Sequence, residues 1–310
     1  MADQRYAADT IAPGCDYLVR LPAGRTPRIL QLTDMQVIDA TQQRYSGRLN
    51  EKEVACWAPE NADAECYAHI RSLVAQTNPD LIFITGDIVY GEFDDSGRSL
   101  EQFCAFMNGL CIPWAPVFGN HDNESARGVA WQCDLLESGE YCLFRRGNVT
   151  GNGNYTVGIS VGGRLCRVLY MMDSNGCGGG TDPALCRAAG FAPDQVAWLR
   201  TRGEAVGQAG NIPGTVAFHI PTSDFLLAAR SCGYETEDTK RNYVIGVDVP
   251  ARNGDFGCRR EMHSAFASPE GFRDAMRATP GALPDNSESA PFTVRHVPAL
   301  TLYGPFPNGI

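Results

Sequence analysis

The run Trp114-Ala115-Pro116-Val117-Phe118-Gly119-Asn120-His121-Asp122 decides how this chain is read. Its first five residues are apolar and short enough for a buried strand, and the glycine ends that strand in a turn. An amide, an imidazole and a carboxylate then stand side by side at the strand's carboxyl end, where α/β sheets present functional groups. Two earlier runs repeat the arrangement. Leu81-Ile82-Phe83-Ile84-Thr85 is followed by Gly86-Asp87, and Ile29-Leu30-Gln31-Leu32-Thr33 by Asp34. A later run, Thr215-Val216-Ala217-Phe218, ends at His219. Taken singly, each polar residue has an ordinary reading: a turn-forming or helix-capping Asp, an Asx-turn Asn, a structural His. Asp34, Asp87, Asn120, His121 and His219 at successive strand ends are harder to explain that way. Carboxylate, amide and imidazole groups converging from rigid elements suit hard and borderline cations.

Between these strands the apolar spacing turns helical. Cys66, Ile70, Leu73 and Val74 predict a helix over 62–76 that stops at Asn78-Pro79. Leu100, Phe103, Phe106, Met107 and Leu110 predict a second, and a third follows near 125–137. Two more strands are expected at Tyr155–Val161 and Arg167–Met172, and Pro193-Asp194 opens another helix. Strand alternating with helix argues for parallel βαβ units, hence an α/β protein. Residues 40–60 read as a long polar loop, and residues 231–265 are poor in pattern. Residues 269–278 suit one more short helix.

Composition narrows the function. With 310 residues and 44% hydrophobic content, the chain can bury a full core. Its formal charge of −10 and lack of a Lys/Arg-rich run argue against a nucleic-acid partner. An acidic protein that acts on an anion needs local positive charge, which bound cations supply. No signal peptide and no apolar run long enough to span a membrane are visible, so the expectation is an intracellular protein with no membrane partner. The 12 cysteines form no Cys-x-x-Cys pair, which argues against a structural zinc site. Cys104 and Cys166 read as core residues, and Cys177 with Cys186 as the best disulfide candidates. Asn123, Asn148 and Asn154 begin glycosylation sequons of the kind that arise by chance.

Tyr90 lies three residues beyond Asp87. A lone tyrosine there is more often packing; as a phenolate ligand it would favour ferric ion. The order Asp34-x-Gln36, Gly86-Asp87-x-x-Tyr90, Gly119-Asn120-His121-Asp122, Val216-x-x-His219 resembles the calcineurin-like metallophosphoesterase superfamily, and most of all its purple acid phosphatase branch. Met172-Asp173-Ser174, Gln195-Val196-Ala197-Trp198-Leu199 and Phe218-His219-Ile220-Pro221 agree with it. The resemblance implies a four-layer α/β/β/α sandwich with two mixed sheets, over residues 28–278. Residues 1–27 would be an irregular lead-in and 279–310 an atypical tail.

The resemblance also assigns roles. Asp34, Asp87 and Tyr90 would bind a first metal, Asp87 would bridge to a second, and Asn120 with His219 would complete that second site. The ions would be iron paired with iron, manganese or zinc. His121 would protonate the leaving oxygen and Asp122 would orient His121. The implied reaction is hydrolysis of a phosphomonoester, on a phosphoprotein or a small molecule, by a metal-bound hydroxide. A phosphodiesterase is the neighbouring alternative.

Two departures qualify the match. Many relatives have His at position 36, where Gln36 stands, and Tyr90 would supply that missing ligand. The family's Gly-His-x-His block does not occur in this sequence. Three explanations stay open: a truncated or frame-shifted end near 279, a degraded member acting as a binding or scaffold protein, or replacement by His296. His263 and His296 are isolated and read better as surface or structural histidines.

Overall fold

The computed structural model describes residues 2–39, 41–42, 44–45, 47, 51, 62–175 and 191–220, with two strands at 241–244 and 247–250. The expected Cys177–Cys186 pair, the 269–278 helix, His263, His296 and the 279–310 tail lie outside the described residues.

Two sheets form the centre. In the first, β2 (Ile29–Leu32), β3 (Leu81–Thr85) and β4 (Trp114–Val117) pair in parallel. Every residue of β3 and β4 is buried, as expected of parallel strands covered on both faces. In the second, β1 (Tyr17–Leu21), β5 (Tyr155–Val161), β6 (Arg164–Met171) and β7 (Gly214–Ala217) lie side by side. Its β5–β6 pairing is antiparallel and the other two are parallel. The two-sheet architecture is as anticipated, although only the second sheet is mixed among the described residues. A separate hairpin pairs β8 (Arg241–Val244) with β9 (Val247–Pro250), in a region whose sequence carries little pattern.

Helices cover the outer faces. α2 (Ala62–Thr77) follows a short N-terminal turn, α1 (Ala2–Arg5), and precedes α3 (Arg98–Gly109) and α4 (Val129–Ser138). α2 stops where Asn78 turns left-handed (φ 45°) ahead of Pro79. The Asp94 carboxylate accepts the first free backbone amides of α3, from Ser99 (2.8 Å) and Leu100 (3.1 Å). α5 (Pro193–Gly207) starts on its proline.

The packing sets the layer order. Cys66, Ile70, Leu100 and Phe103 of the helices share one core with Ile82, Ile84 and Val117 of the first sheet and with Val157, Leu169 and Met171 of the second. On the second sheet's other face, Leu18, Val168 and Tyr170 meet Val196 and Leu199 of α5. The result is helix, sheet, sheet, helix. The Tyr155 hydroxyl donates across the sheets to the Pro116 carbonyl (2.6 Å).

The stretch 1–27 is not wholly irregular, because Tyr17–Leu21 is β1, paired in register with Val157–Val161. Leu18 is fully buried and the Tyr17 hydroxyl donates to the Phe144 carbonyl (2.8 Å). Its place in the sheet comes from pairing with β5, a partner far along the chain that local sequence does not reveal.

Candidate metal centre

The loops after β2, β3 and β4 lie against one another. Backbone amides of Asp34, Gln36 and Val37 donate to the carbonyls of Gly86, Asp87 and Ile88, at 3.0, 3.0 and 2.9 Å. Asp34 (φ 53°), Gln36 (φ 44°) and Asp87 (φ 52°) adopt the left-handed conformation there. Asp tolerates it; Gln does so at a cost of order 1–3 kcal/mol, the kind of strain that gathers at functional sites.

Close approach explains the glycines. A Cβ on Gly119 would fall 2.1 Å from Asp87 Oδ1. One on Gly86 (φ 98°) would fall 2.8 Å from His219 Cβ, so β7 could not bring its histidine this near to β3.

The chain thereby gathers a donor set. Ligand atoms of Asp34, Asp87 and His219 lie within 4.8 Å of one another. Asp87, 2% exposed, accepts the His121 backbone amide on Oδ1 (2.9 Å) and the Gln36 side-chain amide on Oδ2 (3.3 Å). His219 donates through Nδ1 to the Thr85 carbonyl (2.8 Å). That bond turns Nε2 toward Asn120 Oδ1 (3.2 Å) and Asp87 Oδ2 (3.4 Å). A ring fixed by a carbonyl on one nitrogen, with the other facing oxygens, is the common posture of a metal-binding histidine.

The electrostatics follow from this crowding. Burial opposes charge on His219, but Asp87, by charge and hydrogen bond, and Asp34 push its pKa up to about 10. Burial likewise opposes ionisation of Asp87, yet His219 and His121 bring it down to about 2. Burial raises Asp34, with the Asp87 charge adding to the rise and His219 opposing it. Two carboxylates, an amide oxygen and an imidazole nitrogen thus converge here. The donor set therefore fits a hard or borderline cation.

Asp34, Asp87, Asn120 and His219 thus come together as the sequence suggested. The Tyr90 ring stacks on that of His121, with centroids 4.2 Å apart and planes 23° apart.

The expected role of Asp122 is corrected. Its carboxylate is fully buried and accepts the backbone amides of Gly119 (2.7 Å) and Val89 (3.0 Å). It ties the loop after β3 to the loop after β4 and does not orient the imidazole. Burial and the Asp87 charge push it up to about 7. The partner of the His121 ring is Glu124, whose Oε2 takes Nδ1 at 2.8 Å. A 3₁₀ turn over Asp122–Glu124 makes the difference, because i and i+3 side chains eclipse on such a turn while the adjacent residue points elsewhere.

A sequence model described as calcineurin-like phosphoesterase matches residues 27–245. The probable inactive purple acid phosphatase 14 of Arabidopsis thaliana is 36% identical over 252 residues, covering 74% of this chain and 61% of that protein. The probable inactive purple acid phosphatase 29 of the same plant is 24% identical, covering 64% of this chain and 55% of its own. Phosphatase DCR2 of Saccharomyces cerevisiae is 30% identical over 136 residues, 40% of this chain and 23% of that protein. The chain thus spans at most 61% of the length of these relatives.

Proposed function

The chain belongs to the calcineurin-like phosphoesterase family, and from that premise we propose that it is a metal-dependent phosphatase acting on a phosphomonoester. Its ions, two of them, would be held by Asp34, Asp87, Asn120 and His219, with Tyr90 as a further oxygen donor. Iron paired with iron, manganese or zinc suits these donors. The observation that carries the reading is the convergence of Asp34, Asp87 and His219 within 4.8 Å. When bound, such ions supply Lewis-acid charge to a phosphoryl oxygen and a nucleophile at neutral pH.

The chain's own groups do the rest. Asp87 and Asn120 supply oxygens from two different loops and fix their separation. His219 is held by Thr85 so that Nε2 faces them. His121, one residue beyond Asn120, would protonate the leaving oxygen, help worth about 10²–10⁴-fold. Asp122 keeps the two loops in register beneath it.

The full-length protein loaded with iron, manganese or zinc should hydrolyse a chromogenic aryl phosphate, and Asp87→Ala and Asn120→Ala should each abolish this. Inert wild-type protein under every loading contradicts the reading. Faster cleavage of a bis-ester than of the monoester would make it a phosphodiesterase. If Tyr90 ligates ferric ion, the iron-loaded protein absorbs in the visible and Tyr90→Phe removes the band; a colourless, active iron form excludes that role.

A second reading has its own support. Two of the relatives carry the word inactive in their names, and this sequence contains no Gly-His-x-His. On that reading the same loops bind metal and phosphate without turnover, and phosphate binding that needs metal, in a protein inert to every ester, would favour it.

A further inference from the structure

We infer that Glu124 is the positioning residue for His121, clamping the imidazole edge while Tyr90 covers its face. The Nδ1–Oε2 contact is 2.8 Å, and both side chains are largely shielded, 23% and 12% exposed. The Tyr90 ring lies at 4.2 Å over the imidazole and is itself backed by Phe93 at 5.1 Å. Two roughly perpendicular constraints, one hydrogen bond in the ring plane and one ring stack, leave His121 little rotational freedom.

The turn that carries Glu124 is fastened in its own right. Arg44 donates to the Glu124 carbonyl (2.6 Å) and pairs with Asp95. Asp95 in turn accepts the Ala126 amide (2.9 Å), and the Ser125 hydroxyl donates to the Asp94 carbonyl (2.7 Å). Glu124 therefore sits on a braced segment, which a clamp requires. Asp122 is unavailable for the task because both its oxygens are engaged by backbone amides.

The chemical consequence rests on the phosphatase reading, while the clamp itself does not. With Nδ1–H given to Glu124, Nε2 is the nitrogen that meets the ester. As the phosphorus–oxygen bond to the leaving group breaks, the Nε2 proton passes to the leaving oxygen. The imidazolium becomes a neutral imidazole that keeps its Nδ1–H on Glu124, and water supplies the new oxygen on phosphorus. Because Glu124 acts only through His121, its loss should cost no more than the acid help itself, about 10²–10⁴-fold.

The test has two arms on the full-length protein. In the metal-free form, long-range ¹H–¹⁵N correlation of the imidazoles, assigned with His121→Asn, should show an exchange-protected His121 Nδ1–H. It should persist in Glu124→Gln, which keeps an acceptor oxygen, and vanish in Glu124→Ala. In the metal-loaded form, Glu124→Ala should lower kcat about 10-fold on an alkyl phosphate but less than about threefold on a nitrophenyl phosphate, with KM little changed, because a good leaving group needs little acid help. Glu124→Gln should recover most of the loss. A protected Nδ1–H that survives in Glu124→Ala, or equal losses on the two esters, overturns the assignment. If the wild type cleaves neither ester, the phosphatase reading fails and the spectrum alone still decides the clamp.

Discussion

After β2, β3 and β4, the side chains of Asp34, Asp87 and Asn120 turn their oxygens toward one another and toward His219. After β6, Asp173 and its neighbours do the reverse. The Asp173 carboxylate accepts the amides of Asn152 (2.7 Å) and Asn175 (2.8 Å). Gln195, with no exposed surface, donates to the Asp173 carbonyl (2.7 Å) and to Asn154 Oδ1 (2.9 Å), and accepts from Asn175 (2.7 Å) and Ala192 (2.9 Å). The second network satisfies donors with acceptors, as buried polar groups in a scaffold do. The first gathers acceptors around one histidine and leaves a deficit of positive charge. Polarity at a strand end is thus common to both regions, and only unbalanced polarity marks a binding site.

Substitutions should separate the two regions. Asp34→Asn keeps the left-handed backbone, which Asn also tolerates, and removes one of two neighbouring negative charges. Metal affinity should fall by more than about 100-fold, beyond what outer-shell losses cost, while the melting temperature of the metal-free protein does not drop. A metal-free protein that melts well below wild type would erase the contrast. Gly119→Ala keeps every ligand but places a Cβ where Asp87 Oδ1 now lies. Titration calorimetry should show metal binding weakened about 10–100-fold, the range for disturbed ligand support.

The sealed network should respond in the opposite sense. Gln195→Leu leaves several buried groups unpaired, at about 1–3 kcal/mol for each. Denaturant unfolding should register that loss in full while metal affinity stays unchanged. A comparable loss of metal binding would mean the two regions act as one.

A smaller effect lies away from both. Burial pushes the Asp63 carboxyl up to about 6, against the Ile38 amide it accepts at 3.3 Å. The folded state therefore holds this proton more tightly than the unfolded chain, and stability falls as pH rises from about 4 to about 6. Asp63→Asn should flatten that stretch of the stability–pH curve, and an unaltered slope would assign the pH dependence to another group.

The first sheet was legible because its strands are short apolar runs that end in Gly or Asp, a pattern that survives in isolation. Asp34, Asp87, Asn120 and His219 were legible for the same reason, since each directly follows such a run or lies one or two residues beyond it. β1 was not, because its pairing with β5 spans some 140 residues of sequence. Nor was the division of labour between Asp122 and Glu124. It depends on which way successive side chains leave a 3₁₀ turn, and the nearer residue in sequence is the farther one from the ring. Gln195 stood in a recognisable block, yet its partners Asn154 and Asp173 come from other elements. Asn154 also heads a sequon, and its burial at 1% exposure closes it to glycosylation in the folded protein.

On the proposed reading, metal fills the deficit of positive charge among Asp34, Asp87, Asn120 and His219. Elemental analysis joined to titration calorimetry of the metal-free, full-length protein tests it most directly, with manganese and zinc as titrants. The wild type should bind about two ions per chain, and Asp87→Asn should hold none stoichiometrically. Wild-type protein that binds no metal, or an Asp87→Asn variant that binds as the wild type does, would contradict it.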